Sequence, residues 1–487
     1  MNMEKLLRSS IDDPPKYPLR ILQFGGGNFL RAFLGWIVEI LNEETEWKGS
    51  IALVKPTSFG SYEILKAQQG LYHVQLQGIR EGVPASEVKR IHCIREVLNP
   101  YTDWEGFLDL AGMDTIRYIV SNTTEAGIFF DPDSGPDDRP PLSFPAKLTC
   151  WLYRRYQHFK GDPAIGCTIL PCELIEANGS QLRDIILKHA ATWNLEPQFR
   201  DWVKEANIFC NTLVDRIVSG FPEALAEEVW EETGFEDPML VSAEYYHSWV
   251  IEGGEEMAAC FPTTTTPVNV KFVPDLRPYR ELKVRILNGT HTLMVGLGLL
   301  AGLRYVHECM EDPVISRFLE EMIKNEIGPV LDMPRQEVEA FADAVLTRFR
   351  NPFLCHELVS ISLNSTAKFK TRVLPVLQTY QNTVKATPHR MLFAFAAFIY
   401  CFSRRGDSQG IVLKEDQETY DHFRDIWKDY QPTPADALEV VNRVLEYPKL
   451  KQGQGPLLQG FRKPIAAYLA GIEQAGVREG MRALTPI

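Results

Sequence analysis

The chain of 487 residues has 51 Lys and Arg against 64 Asp and Glu, a formal net charge of −13, with 45% hydrophobic and 24% charged residues. That length calls for two or three domains, and the composition is that of a globular protein rather than a disordered or fibrous one. The acidic balance argues against a nucleic-acid partner, which needs a basic face; an anionic small molecule would need a local cationic pocket. Nine cysteines without short regular spacing make no disulfide framework, so reduced thiols are expected. Cys167 and Cys172 are too far apart for a Cys-x-x-Cys pair, and no His or Cys cluster has zinc spacing, so no metal is expected. Glu4, Asp12 and Asp13 stand where a secretory segment would have an apolar core. The longest apolar runs, 293–303 and 391–402, are too short to span a bilayer. The expectation is a cytoplasmic protein without a membrane partner.

Taken in chain order, residues 19–24 read as a buried strand, 29–41 as the helix after it and 51–55 as a second strand; 116–121 and 165–170 repeat the strand pattern. Strands alternating with helices argue for a parallel sheet with crossover helices, an α/β Rossmann-like domain. Residues 131–141, rich in Asp, Gly and Pro, read as a loop. Composition breaks at 263–267 and 274–278, and beyond them the pattern is helical almost to the end. The domains expected are therefore a dinucleotide-binding domain over 1–277 and an all-helical substrate and catalytic domain over 278–487.

Gly25, Gly26 and Gly27 fall between the first strand and its helix. Glycine there lets a phosphate approach the backbone, and the helix N-terminus supplies N–H donors and positive potential. Glycine also serves tight turns for steric reasons alone, and Leu30 stands at the third fingerprint position; the strand-loop-helix context favours a cofactor. The residues expected to face it are Gly25, Gly26, Gly27, Asn28, Phe29, Leu30 and Arg31, the last within reach of a pyrophosphate. The acid expected about twenty residues further on for the ribose hydroxyls is missing. Lys55 and Ser58 leave NAD and NADP both open. Ser121, Asn122, Thr123 and Glu125 follow another strand and suit the wall of a cofactor groove, although Thr before Glu also suits a capping turn.

The run Lys-Val-Arg-Ile-Leu-Asn-Gly-Thr-His opens the helical half. At 100° per residue in a helix, His291 lies about 80° and Asn288 about 140° round from Lys283. A lysine, an amide and an imidazole suit a carbonyl or alcohol: one trades the proton, one stabilises the oxyanion, one orients a neighbouring hydroxyl. The apolar run that follows puts the triplet at the mouth of a buried helix. Ligands usually bind in clefts between domains, which is where the motif is expected.

Phe24-Gly-Gly-Gly-Asn-Phe-Leu-Arg-Ala, Ser121-Asn-Thr-Thr-Glu-Ala-Gly, Pro171-Cys-Glu-Leu-Ile-Glu-Ala-Asn-Gly, Val214-Asp-Arg-Ile and the Lys283–His291 run occur together and in order. Extended by Arg348-Phe-Arg-Asn-Pro and the Lys368 region, this set resembles the mannitol dehydrogenase family, the polyol-specific long-chain dehydrogenases, over nearly the whole chain. The resemblance implies an oxidoreductase using NAD(H). It implies Lys283 as general acid/base, Asn288 as oxyanion stabiliser, His291 as the group that binds a substrate hydroxyl, Lys368 as a substrate contact and Asp215 as a pocket residue. Leu174 stands where the polyol enzymes carry a second oxyanion asparagine, and Ser360 where they carry arginine. Both departures are similar to the branch that acts on uronates, small acid sugars. A uronate carboxylate would meet Lys368, Lys370 or Arg372, and Lys368 and Arg372 share a face if helical. Three other readings fit less. Tyr62 and Lys66 have the short-chain dehydrogenase spacing but fall too early; a methyltransferase leaves the helical half unexplained; a non-catalytic nucleotide sensor has no need of Lys283. Which epimeric keto-sugar acid is used, and the oligomeric state, are not legible in the residues.

Overall fold

Leu-Arg-Ile-Leu-Gln-Phe has no turn residue and forms β1 (Leu19–Phe24), buried on both faces from Ile21 onward. Burial on both faces marks a parallel sheet covered by helices. The computed structural model describes residues 3–12, 15–124, 126–254, 257, 261–263, 266–384, 386–403, 410–451 and 458–485. With β2 (Ser50–Val54), β3 (Ile94–Leu98), β4 (Tyr118–Ser121), β5 (Thr168–Pro171) and β6 (Ile208–Phe209), β1 makes a six-stranded sheet in the order β3-β2-β1-β4-β5-β6. Every pairing in it is parallel. This is the doubly wound nucleotide-binding order, and its switch point lies between β1 and β4, where ligands bind at the strands' carboxyl ends.

Helix α1 follows β1 as one continuous rod: Asn28–Leu30, a π turn over Arg31–Gly35, then Trp36–Glu44. Helix α2 (Phe144–His158) starts on the Ser143 hydroxyl, which accepts the Ala146 N–H at 3.3 Å, with Pro145 in its first turn. Helix α3 (Asn178–Thr192) follows β5. Fully buried Arg155 of α2 ties this layer together, donating to the carbonyls of Ala111, Met113, Ile116 and Ile165 at 2.8–3.1 Å.

The expected strands over 116–121 and 165–170 begin two and three residues later, because Ile165 closes a 3-10 turn, Pro163–Ile165. Residues 131–141 carry no helix or strand. Three further sheets went unread in the sequence, the smallest pairing Glu4–Lys5 with Phe235–Glu236. Another contains Tyr72–Arg80 and Val83–Ile91, and a third joins Thr212–Asp215, Ser248–Glu252 and Val270–Val273. Val83–Ile91 is polar and largely exposed, which erases the apolar alternation a strand needs to be seen.

The chain divides into two compact units, Met1–Arg80 with Ala85–Leu276, and Arg277–Ile487 with Glu81–Pro84. The second is helical. Its first helix, α4, runs through Arg277–Lys283, a π turn over Val284–Asn288, and Gly289–Leu300. It is followed by α5 (Arg335–Phe349), α6 (Ser365–Arg372) and α7 (His389–Tyr400). From Met391 to Tyr400 every residue of α7 is buried. A Cβ on Gly296 of α4 would stand 2.7 Å from the Phe398 amide nitrogen, so glycine lets α4 and α7 cross nearly backbone to backbone. Among the described residues no helix is long and apolar enough to cross a membrane, and the eight described cysteines are unpaired.

Candidate active site

In the first unit the glycine loop is a cradle shaped by sterics. Gly25 has φ +109°, and a Cβ there would stand 2.6 Å from the Asn122 carbonyl oxygen, so only glycine fits. Gly26 donates its N–H to the Tyr62 hydroxyl at 2.5 Å, and a Cβ on it would press the Tyr62 ring. Gly27 and Asn28 are exposed, and a Cβ on Gly27 would meet nothing within 4 Å. Phe29 stacks on Phe33, with ring centroids 4.9 Å apart, and Leu30 is buried. Arg31 points inward: its guanidinium donates to Asn28 Oδ1 at 2.7 Å and to the Met239 carbonyl, and lies over the Tyr72 ring. Burial lowers its pKa. The group expected to reach a pyrophosphate thus holds Asn28 in place at the mouth of the loop.

Across the switch point, the end of β4 is organised by a residue that had no expected role. Glu173, buried beyond β5, accepts the Ser121 hydroxyl at 3.0 Å, the Thr123 N–H at 3.0 Å and the Thr123 hydroxyl at 2.9 Å. Burial raises its pKa, with those hydrogen bonds pulling the other way. Asn122 donates its amide to the Cys172 carbonyl at 2.8 Å. Glu125 lies outside the described residues. Lys55, at the end of β2, donates to the Ser58 carbonyl at 3.1 Å. Asp215 is the last residue of its strand and pairs with Ser248.

In the second unit the π turn changes the geometry expected for the Lys283 run. An i→i+5 turn takes up one extra residue, so everything beyond it sits where the preceding residue of a regular helix would. Counted this way, Asn288 falls at about 40° and His291 at about −20° from Lys283. The three side chains share a narrower face than a regular helix would give them. Gly289 sits at the contact with α6, where a Cβ would be 3.6 Å from the Arg372 carbonyl oxygen. Arg285, paired with Glu281 at 2.7 Å, also donates to the Arg372 carbonyl at 3.2 Å, which ties α6 to the π turn.

His291 is buried, stacked on Phe349 at 4.3 Å and met edge-on by His356 at 5.2 Å. Burial drives its pKa well below the usual imidazole value, with His356, Arg348, Arg372 and Lys368 adding in that order. The ring is neutral near pH 7, and its nitrogens bond to no described residue. The Asn288 amide is likewise unbonded among the described residues. Lys368 and Arg372 lie one turn apart on α6; Lys368 donates to the Ile361 carbonyl at 2.8 Å, leaving ammonium donors to spare. Burial and then Arg372 lower the Lys368 pKa, and burial lowers that of Arg372.

Comparison with known proteins matches residues 19–262 to the mannitol dehydrogenase Rossmann domain and 275–454 to the mannitol dehydrogenase C-terminal domain. The chain is 41% identical over 479 residues to an altronate oxidoreductase of Bacillus subtilis, covering 98% of each. It is 40% identical to that of Pectobacterium carotovorum, covering 95% of this chain and 96% of the relative. The chain belongs to the mannitol dehydrogenase family. The fold agrees: the mannitol 2-dehydrogenase of Pseudomonas fluorescens superposes with a TM-score of 0.65 at 21% identity, over 96% of this chain and 94% of that one. A D-sorbitol dehydrogenase gives 0.79 at 21%, over 98% and 100%.

As a member of this family the chain has a nucleotide cradle that fits its dinucleotide. An open, exposed Gly27 at the N-terminus of a long helix offers N–H groups where a Cβ elsewhere would intrude. The two positions that depart from the polyol members behave differently: Leu174 is exposed, and Ser360 donates to Glu357 at 3.3 Å. Sequence reasoning missed Glu173, the Tyr62 hydroxyl and His356. Glu173 lay inside a quoted motif, Pro-Cys-Glu, and a carboxylate between a cysteine and a leucine at a strand end was the available signal.

Proposed function

We propose that this chain reduces D-tagaturonate to D-altronate with NADH, as an oxidoreductase of the cytoplasm, and that Lys283 is its general acid/base. The observation that carries the reading is His291: a buried, unbonded imidazole among Arg348, Arg372, Lys368 and His356, on the same helix as Lys283 and Asn288. Neutral donors beside several cations suit a hydroxylated substrate bearing a carboxylate. The near-full-length relatives that bear the name altronate oxidoreductase support the same substrate class.

What NADH supplies when bound is a hydride for the keto carbon. The chain's residues do the rest. The Gly25–Gly27 loop and Asn28 take the pyrophosphate, with Arg31 holding Asn28, and Ser121, Asn122 and Thr123 line the groove, with Glu125 in the same segment. Asn288 donates its amide N–H to the developing oxyanion, and removing one such donor typically costs on the order of a hundredfold or more in rate. Lys283, as an ammonium, gives the proton that completes the alcohol, and in oxidation takes it back as the amine. His291 binds an adjacent hydroxyl. Asp215 belongs to the pocket, and Lys368 with Arg372 receives the carboxylate.

Tagaturonate, fructuronate and fructose compared side by side, each with NADH and NADPH, test the reading. Fastest turnover with tagaturonate and NADH is expected. A higher kcat/KM for fructuronate would make it a fructuronate reductase, for fructose a mannitol 2-dehydrogenase, and nucleotide binding without turnover would leave a sensor.

A further inference from the structure

His356 is the residue of this cluster that neither the sequence nor the proposed mechanism uses. Its backbone is fully engaged: the N–H donates to the Leu354 carbonyl at 2.7 Å and the carbonyl accepts from Val306 at 3.1 Å. The imidazole makes no hydrogen bond to any described residue. It is exposed on one side, while the other meets His291 at a near-perpendicular 83° with Lys368 close by. His247, by contrast, has both ring nitrogens engaged, through Asn269 and Tyr245. His356 has both free, beside the one buried imidazole in the cluster that is also free.

We propose that His356 is a specificity-determining substrate contact, whose ring N–H donates to the carboxylate of an acid sugar that Lys368 and Arg372 hold against His291. The inference rests on the acid-sugar reading above and adds the group that tells the acid from the neutral ketose. Part-burial and then the Lys368 ammonium lower the His356 pKa, so the ring acts as a neutral donor and adds no further charge to the cluster. A donor fixed by its ring contact to His291 places the carboxylate in register with the hydroxyl that His291 binds.

The test uses the full-length enzyme and two ligands that differ only at one terminus: D-tagaturonate as substrate, and D-tagatose, its neutral counterpart, as competitor. His356→Ala is expected to raise KM for tagaturonate roughly tenfold to a hundredfold, the effect of losing a hydrogen bond to a charged group. The kcat, the KM for NADH and the inhibition constant of tagatose should stay within about threefold, a change too small to represent a lost charged hydrogen bond. His356→Gln, which keeps an N–H at similar reach, should recover most of the loss. Equal weakening of acid and neutral ligand, an unchanged tagaturonate KM, or no recovery with Gln would overturn the assignment while wild-type turnover leaves the tagaturonate reading standing. A wild-type enzyme inert toward tagaturonate would overturn both.

Discussion

Glu173 holds Thr123 twice through a single carboxylate oxygen, at 3.0 Å from its N–H and 2.9 Å from its hydroxyl, and spends the other oxygen on Ser121. Removing the carboxylate frees the end of β4 at the switch point. Glu173→Ala should raise KM for NADH by about tenfold, the loss of one to two hydrogen bonds' worth of ordering, with kcat little changed. Glu173→Gln keeps an acceptor for Thr123 and sheds a buried charge, so its KM for NADH should lie near wild type. Steady-state kinetics on both variants separates positioning from general destabilisation, which would move kcat as well.

Lys283→Ala should abolish turnover to within measurement while NADH still binds, as read by fluorescence titration. Loss of both together would make the lysine part of the framework rather than the proton donor.

If Lys368 and Arg372 receive the carboxylate as proposed, swapping Lys368 for Met should raise KM for tagaturonate far more than it weakens neutral tagatose. An equal effect on both ligands would remove Lys368 from carboxylate binding.

His247 sits at the centre of an acid-sensitive contact. Its Nε2 accepts the Asn269 N–H at 2.8 Å while Nδ1 faces the Tyr245 carbonyl at 3.2 Å, an arrangement that fits only the neutral ring. Burial, followed by the neighbouring Arg216, pushes its pKa down to about 4 from 6.5, and burial does the same to His189. Folded-state values below unfolded ones mean that the unfolded chain binds more protons between them. Stability should therefore hold above pH 6.5 and fall as pH drops from there toward 4. Thermal melts across that range should show the slope. His247→Gln, which keeps an acceptor and cannot titrate, should reduce the slope and leave the His189 share; an unchanged slope would clear this histidine.

Arg155→Met should lower stability by roughly 3–5 kcal/mol, because four buried carbonyls lose their donor at once. Urea unfolding followed by tryptophan emission would report it. A loss under about 1 kcal/mol, the net value of one ordinary hydrogen bond, would show that the carbonyls find other partners.

How much of this was written in the residues depends on what each feature is made of. β1 and α1 were legible because a mostly apolar run and a glycine turn are local signals. The strands of the smaller sheets were not, since Val83–Ile91 is exposed or half-buried over most of its length and its residues carry no period. Buried charges such as Arg155, Arg31 and Glu173 read as surface in a sequence; partners such as Ile116, Met239 and Thr123 lie 39, 208 and 50 positions away, which leaves no pattern. Lys283, Asn288 and His291 were visible as residue types. Their mutual bearing was not, because a π turn is stabilised by its surroundings and has no composition of its own.

That turn makes the register of α4 matter more than its content. Winding Val284–Asn288 into a regular helix with every residue kept would mend the internal bonding and leave every side chain chemically intact. It would also rotate Asn288 and His291 by about a quarter-turn away from Lys283. The irregularity keeps these three side chains in phase, so a chain that regularised it residue for residue would keep a well-formed rod and forfeit the alignment it carries.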